Sequence, residues 1–159
     1  MYSSIVVIGK NREIGCNNKL LWDIPEDMKR FREVTMGHPV IVGYNTFLSF
    51  GSKPLPGRTN VIVTLDKEYK NDECPVAYSL EEAYKLAEEA PGSEEIFIIG
   101  GASIYKQTID KIDKLYLTIV DDSPEADTFF PDYSAFTKEV YKKESYRGDL
   151  KYTFLELTK

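Results

Sequence analysis

Glu95-Ile96-Phe97-Ile98-Ile99-Gly100-Gly101-Ala102-Ser103-Ile104-Tyr105 decides the fold class. The unbroken apolar run Ile96–Ile99 suits a strand buried on both faces, which belongs in a parallel sheet covered by helices on each side. The paired glycines end that strand at the mouth of a helix expected over Ala102–Ile109. Free backbone N–H groups and the helix dipole favour a phosphate at such a junction, and glycine admits close backbone approach or an unusual peptide geometry. A plain tight strand-to-helix turn accounts for the same residues.

The alternation continues on both sides of this stretch. Strands are expected at Ser3–Gly9, Pro39–Gly43, Asn60–Thr64 and Pro75–Tyr78. Helices are expected after Pro25, from Asn45, and over Ser79–Ala90, where Ser79 and Glu82 form a capping box. Such alternation implies an α/β domain with a mostly parallel sheet. After Ile112 come Lys114–Val120, an acidic loop Asp121–Asp132, and two β-rich runs, Phe136–Ser145 and Lys151–Thr158, that read as an antiparallel hairpin at one edge. The polar stretch Lys10–Leu21, which contains Gly15, is expected to be a mobile loop over a site. A second strand-to-helix junction at Gly43-Tyr44-Asn45-Thr46 offers a further phosphate cradle, and two cradles on one sheet suggest a dinucleotide.

One residue breaks the pattern of its element. In Trp22-Asp23-Ile24-Pro25-Glu26-Asp27-Met28-Lys29-Arg30-Phe31-Arg32-Glu33-Val34-Thr35, Asp23 is a candidate N-cap and Pro25 a first-turn residue. Ile24, Asp27, Met28, Phe31, Val34 and Thr35 share one stripe, whereas Glu26, Lys29, Arg30, Arg32 and Glu33 face water. Asp27 therefore points inward with no local cation. A buried carboxylate without a donor is costly, so its partner is remote in sequence or is a ligand. Complementing the helix N-terminus is the structural alternative.

Composition narrows the function further. The chain has 159 residues, 42% hydrophobic and 29% charged, with net charge −6. A single domain over 1–159 is expected, and the charge disfavours nucleic acid and anionic membranes as partners. The amino terminus lacks a basic region and its apolar run is too short for a signal peptide or a membrane span, so a cytoplasmic location is expected. Cys16 and Cys74 are isolated and read as free thiols; with His38 the sole histidine, no metal centre or Ser-His-Asp triad is expected. Gly9-Lys10 lacks the spacing of a phosphate-binding kinase loop.

Pro54-Leu55-Pro56-Gly57-Arg58 stiffens a turn that presents one arginine, suited to bidentate capture of a carboxylate or, equally, a solvated surface residue. Trp22 either staples the loop to the helix or lines the site, Phe31 and Phe50 suit core or a flat aromatic ligand, and Tyr105 and Thr118 bring hydroxyls without a local explanation.

Taken together, Gly15, Leu20, Trp22, Pro25, Asp27, Phe31, Thr35, Pro39–Gly43, Thr46, Pro54–Arg58, Ile99-Gly100-Gly101, Tyr105, Leu115–Thr118 and Asp127–Pro131 resemble the bacterial dihydrofolate reductase family from end to end. The resemblance implies a three-layer fold: an eight-stranded, mostly parallel twisted sheet with an antiparallel C-terminal strand and about four flanking helices. It implies NADPH-dependent reduction of 7,8-dihydrofolate to tetrahydrofolate, in support of one-carbon and thymidylate metabolism, by a single chain acting as a monomer.

By the same resemblance, Asp27 accepts hydrogen bonds from the pterin 2-amino group and N3, with Thr118 in the network. A water beside Leu20 and Trp22 supplies the proton for N5. Ile5, Val6, Met28, Phe31, Phe50, Leu55, Ile99 and Tyr105 line the folate cleft, and Arg58 grips the α-carboxylate of the glutamate tail. Val7, Ile14, Gly15, Asn18 and Leu20 approach the nicotinamide, and the Lys10–Leu21 loop closes over it. Gly43, Tyr44, Asn45, Thr46, Thr64 and Leu65 hold the cofactor from one side; Ile99, Gly100, Gly101, Ala102, Ser103, Ile104 and Tyr105 hold it from the other.

Six residues depart from the family pattern. Leu21 replaces the proline before Trp22, and Val6 and Val7 replace small residues, narrowing the pocket floor. Tyr44-Asn45 and Ser103 stand where basic residues meet the 2′-phosphate that separates NADPH from NADH, which leaves Tyr44 to stack on adenine and His38 or Lys67 to supply charge. Two other readings are a reductase of ribosylated pyrimidines, against which Asp27 with the Arg58 turn argues, and a non-catalytic nucleotide-binding module, against which the combined cleft, loop and inward acid argue.

Overall fold

In the computed structural model, which describes residues 1–17 and 19–159, the first half of the chain runs β1 (Tyr2–Ile8), β2 (Glu13–Cys16), β3 (Lys19–Leu20), α1 (Pro25–Thr35), β4 (Val40–Gly43), α2 (Tyr44–Ser49), β5 (Asn60–Val63) and β6 (Val76–Ala77). The second half runs α3 (Leu80–Glu88), β7 (Ile96–Ile98), α4 (Ala102–Thr108), β8 (Lys114–Val120), β9 (Thr128–Phe129), β10 (Lys138–Arg147) and β11 (Leu150–Thr158). Eight strands form one sheet in the order β10-β11-β8-β1-β7-β4-β5-β6. Every pairing from β8 to β6 is parallel, and β11 is antiparallel to both neighbours. Only β11 therefore runs against the sheet.

Side-chain alternation builds a core on each face. Ile41, Ile96, Ile98 and Leu117 pack with Ala83 and Ala87 of α3 and Ile104 and Tyr105 of α4. Val40, Val42, Phe97 and Ile99 point the other way, toward Phe47 of α2 and Phe31 and Val34 of α1. Ile41, Ile98, Phe97 and Val40 are fully buried, each such side chain contributing about 1.5–3 kcal/mol of apolar burial. The chain leaves β1 toward β4 on one side and β7 toward β8 on the other, so the connections diverge between the adjacent strands β1 and β7. A ligand crevice forms beyond the strand ends at such a divergence.

Three expectations about local structure need correction. Lys10–Leu21 is not an irregular loop: β2 and β3 form a small antiparallel sheet with β9. Asp23 does not cap α1. The N-cap is Ile24, without a side-chain cap, while Pro25 does sit in the first turn. The supposed wet face of α1 is partly covered by the hairpin of β10 and β11. Glu26 accepts hydrogen bonds from Ser145 (2.5 Å) and Tyr152 (2.6 Å), and the Arg30 side chain, 14% exposed, pairs with Glu156 at 2.9 Å above the Phe154 ring. Helical periodicity could not reveal this, because the covering strands lie more than a hundred residues away.

Candidate functional site

Asp27 lies in the first turn of α1, half-buried, on the side that faces the sheet. The one protein hydrogen bond to its carboxylate among the described residues comes from the Thr118 hydroxyl, at 2.5 Å. Thr118 is 2% exposed, within the otherwise apolar center of β8. Burial pushes the Asp27 carboxyl above its usual range, against the opposing effects of the Thr118 hydroxyl and the more distant Arg30 charge. Arg30 is committed to Glu156, and among the described residues no cation forms an ion pair with Asp27. The remaining lone pairs look onto a cleft of about 540 Å³ lined by Val7, Ile14, Leu20, Trp22, Asp27 and Met28, together with Leu21, Asp23 and Ile24. Met28 and Leu20 are 54% and 73% exposed because they form its open rim. Half-buried Phe31 continues the α1 face beside Ile5 and half-buried Leu55, and Phe50, 37% exposed, lies just beyond the end of α2.

Arg58 stands at the other end of α1. Its Nε donates to the Pro56 carbonyl (2.9 Å) and Nη1 to the Thr35 hydroxyl (3.0 Å), while Thr35 itself donates to Phe31 O (2.8 Å). No carboxylate of the described residues pairs with it. Burial and the nearby Arg32 charge lower its pKa, so the site favours an anion. Asn60 organises this turn: its side chain accepts from Leu55 N–H and donates to the Leu55 and Arg58 carbonyls. Asn60 is 3% exposed and was not singled out from the sequence, although an Asx residue closing a proline-rich turn is a usable signal.

The two glycine junctions meet at the ends of adjacent strands. Gly43 N–H donates to Gly100 O at 2.7 Å, and the Gly100-Gly101 peptide is cis. A Cβ at Gly101 would lie 2.7 Å from the Thr46 hydroxyl, and one at Gly43 would crowd Ile104 at 3.1 Å. These residues leave a backbone-lined cradle that any side chain would fill.

Comparison with known proteins agrees with this geometry. The family model described as dihydrofolate reductase matches residues 1–159. The chain is 36% identical over 154 residues to dihydrofolate reductase type 3 of Salmonella typhimurium, covering 97% of this chain and 93% of that protein. It is also 36% identical over 159 residues to a dihydrofolate reductase of Staphylococcus aureus, covering 98% and 96%. A solved Enterococcus faecalis dihydrofolate reductase, complexed with NADP(H) and RAB-propyl, superposes with a TM-score of 0.90 at 28% identity, over 99% of this chain and 95% of that one.

The chain belongs to the dihydrofolate reductase family. As a member it is an oxidoreductase that reduces dihydrofolate with NADPH, which sets aside the pyrimidine-reductase and non-catalytic readings.

Several expected dihydrofolate reductase site residues sit differently from their prediction. Val6 packs in the core on the α3 and α4 side, so its side chain does not floor the folate cleft; Val7, with its opposite orientation, does line it. The Tyr105 hydroxyl is not free, because it donates to Ile5 O at 2.8 Å beneath the glycine pair; Ile99 is likewise buried, at 6% exposure. Tyr44 packs edge-on against Tyr69, with centroids 4.6 Å apart. His38 lies before β4, at the strand end opposite Gly43, bonded to Gly92 O at 2.9 Å, so it cannot charge the cofactor side. Asn45 and Ser103 are exposed, Ala102 is half-buried, and Leu65 is 91% exposed beside Thr64, whose hydroxyl accepts from Asp66 N–H. Gly15 O accepts from Asp127 N–H at 3.0 Å. Asn18 lies outside the described residues. Trp22 lines the cleft, and its indole N–H donates to Asp122 at 3.0 Å. No sequence pattern marks Asp122 as that partner.

Proposed function

We propose that residues 1–159 act as a single-domain, monomeric, cytoplasmic dihydrofolate reductase in which Asp27 orients and polarises the pterin of the substrate. The observation that carries this reading is a partly buried carboxylate with one hydroxyl partner and no cation, facing an open cleft. Two adjacent N–H donors of a flat heterocycle satisfy the lone pairs that Thr118 leaves free. Thr118 fixes the rotamer of Asp27. Phe31, Ile5, Leu55, Met28 and Phe50 contribute apolar walls, and Arg58 takes the α-carboxylate of the glutamate tail.

NADPH fits the other half of the site, because Gly43, Gly100, Gly101 and Thr46 form a cradle that a Cβ would occlude. These residues, with Ala102, Ser103 and Ile104, would hold the pyrophosphate, and Thr64, Leu65 and Lys67 would flank the adenosine. Bound there, NADPH supplies the hydride that C6 of dihydrofolate receives. Val7, Ile14, Gly15 and Leu20 exclude bulk water from the reacting face, while a single water beside Leu20 and Trp22 brings the proton to N5. Asp27 does not need to touch N5, since its role is orientation and ring electrostatics.

The monomer assignment rests on the β10 edge, where Lys138, Lys142 and Lys143 would oppose a second copy. Net charge −6 supports the absence of a nucleic-acid partner, and among the described residues no helix is long and apolar enough to cross a membrane.

A spectrophotometric assay tests the reading: purified protein mixed with dihydrofolate and NADPH should consume the reduced-nicotinamide absorbance in a folate-dependent way. No folate-dependent oxidation with either NADPH or NADH would refute it.

A further inference from the structure

Glu13 is a charged side chain for which the site above has no use. It lies on β2, is 2% exposed, and has no lysine or arginine within ion-pair distance among the described residues. Its sequence neighbour Arg12 donates to Phe130 O at 2.8 Å instead, and Lys10 pairs with Asp121 at 3.2 Å. The donors that meet the Glu13 carboxylate are neutral: Asn11 N–H at 2.7 Å and the Ser123 hydroxyl.

Those contacts join the turn between β1 and β2 to the loop that follows β8. Ser123 also receives the Asn11 side-chain amide at 2.8 Å and donates its backbone N–H to Asp122 at 2.9 Å. The second carboxylate oxygen of Asp122 holds the Trp22 indole. Backbone bonds reinforce the junction, Gly9 N–H to Glu13 O and Lys10 N–H to Asp122 O, both 2.9 Å. The packing leaves no room for adjustment: a Cβ at Gly9 would lie 2.7 Å from the Glu13 carboxylate and 2.8 Å from Asp122 O. A continuous chain of contacts thus runs from Glu13 through Ser123 and Asp122 to Trp22, which with Leu20 borders the cleft.

We propose that Glu13 is a positioning residue for hydride transfer: through Ser123 and Asp122 it fixes the Trp22 indole at the mouth of the cleft. The proposal rests on the folate-reductase reading for its link to turnover, but the tether itself does not. An apolar residue at 13 would leave the Asn11 N–H and the Ser123 hydroxyl without their acceptor, releasing the Asp121–Ser123 loop and with it the indole.

Trp22 is the sole tryptophan of the chain, so its fluorescence reports the tether without turnover. The full-length variants Glu13→Ala, Ser123→Ala, their double variant and Glu13→Gln are measured for acrylamide quenching of Trp22 without ligands, for single-turnover hydride transfer, and for the KM of dihydrofolate. Glu13→Ala and Ser123→Ala should each raise quenching and slow hydride transfer about tenfold, with KM within about twofold, as expected for misplacement rather than lost contact. The double variant should be no slower than Glu13→Ala, because both break one chain of contacts. Glu13→Gln keeps an acceptor for Asn11 N–H and should recover to within about threefold of the parent.

Parent-like quenching, or additive losses in the double variant, overturns the proposal. Should Glu13→Ala not fold, Ser123→Ala decides alone, since the Ser123 side chain is exposed and its loss threatens no core. A parent that fails to oxidise NADPH with dihydrofolate would remove the reaction, while Trp22 quenching would still judge the tether.

Discussion

Replacing Asp27 by asparagine should move activity and stability in opposite directions. The carboxylate accepts from Thr118 and presents its other lone pairs to the cleft. The amide keeps one acceptor and turns N–H donors toward the pterin donors. One charge-assisted hydrogen bond is lost, about 1.5–3 kcal/mol, and one donor is left unpaired, about 1–3 kcal/mol. The sum of about 2.5–6 kcal/mol corresponds to a fall in kcat/KM of roughly two to four orders of magnitude at pH 7.

The ligand-free protein should respond the other way. Burial raises the folded-state pKa of Asp27 above its unfolded value, so between those two values the folded state binds more protons and stability falls as pH rises. The charged form is then a burden at neutral pH that asparagine removes. Asp27→Asn should therefore melt above the parent at pH 7, and the difference should shrink as pH drops toward the unfolded carboxyl value near about 3.9. Stopped-flow hydride transfer and ligand-free melting curves from pH 4 to 8 measure both quantities. Parent-like kcat/KM, or a variant that melts below the parent at pH 7, would refute the reasoning.

Arg58→Ala should raise the KM for dihydrofolate about 10- to 150-fold, the equivalent of about 1.5–3 kcal/mol, while a pteridine without the glutamate tail stays within about twofold; equal losses for the two would show that Arg58 holds no carboxylate. Arg30→Ala removes an ion pair with both side chains under a fifth exposed, but Lys114 still neutralises Glu156 at 2.8 Å. Its cost should be near about 2 kcal/mol, lowering the melting temperature by about 4–8 °C, and an unchanged melting curve would show that the hairpin does not anchor α1 through this pair.

The parallel core was legible because burial on both faces writes itself into sequence as unbroken apolar runs. Val40–Val42 and Ile96–Ile98 are such runs, and both became central strands. Ser79 and Glu82 likewise announced α3, where Ser79 Oγ accepts from Glu82 N–H at 3.1 Å. The small sheet was not legible: β3 and β9 have two residues each and β2 four, too short for any period to register. The docking of Glu26 and Arg30 was hidden for a different reason, since charged residues facing water and charged residues facing Tyr152 or Glu156 have the same pattern along the helix.

The site divides along the same line. Arg58 could be proposed from its turn and Gly101 from its junction, because local backbone chemistry constrains both. Asp122 serves through Trp22, a partner fixed only by the fold, whereas Asn60 closes its own turn through Leu55 and Arg58. Asp27 and Thr118 are a third case, each a polar residue placed against the rule of its own element: Asp27 on an apolar helical stripe, Thr118 within Leu115-Tyr116-Leu117-Thr118-Ile119. Either could be tolerated alone, the acid by the helix N-terminus and the threonine by a backbone carbonyl. Instead they meet at 2.5 Å, ninety-one residues apart, at the edge of a cleft. Two independent departures that converge in space leave acceptor capacity the protein does not use, and such unspent capacity is what distinguishes a site from a satisfied polar pair.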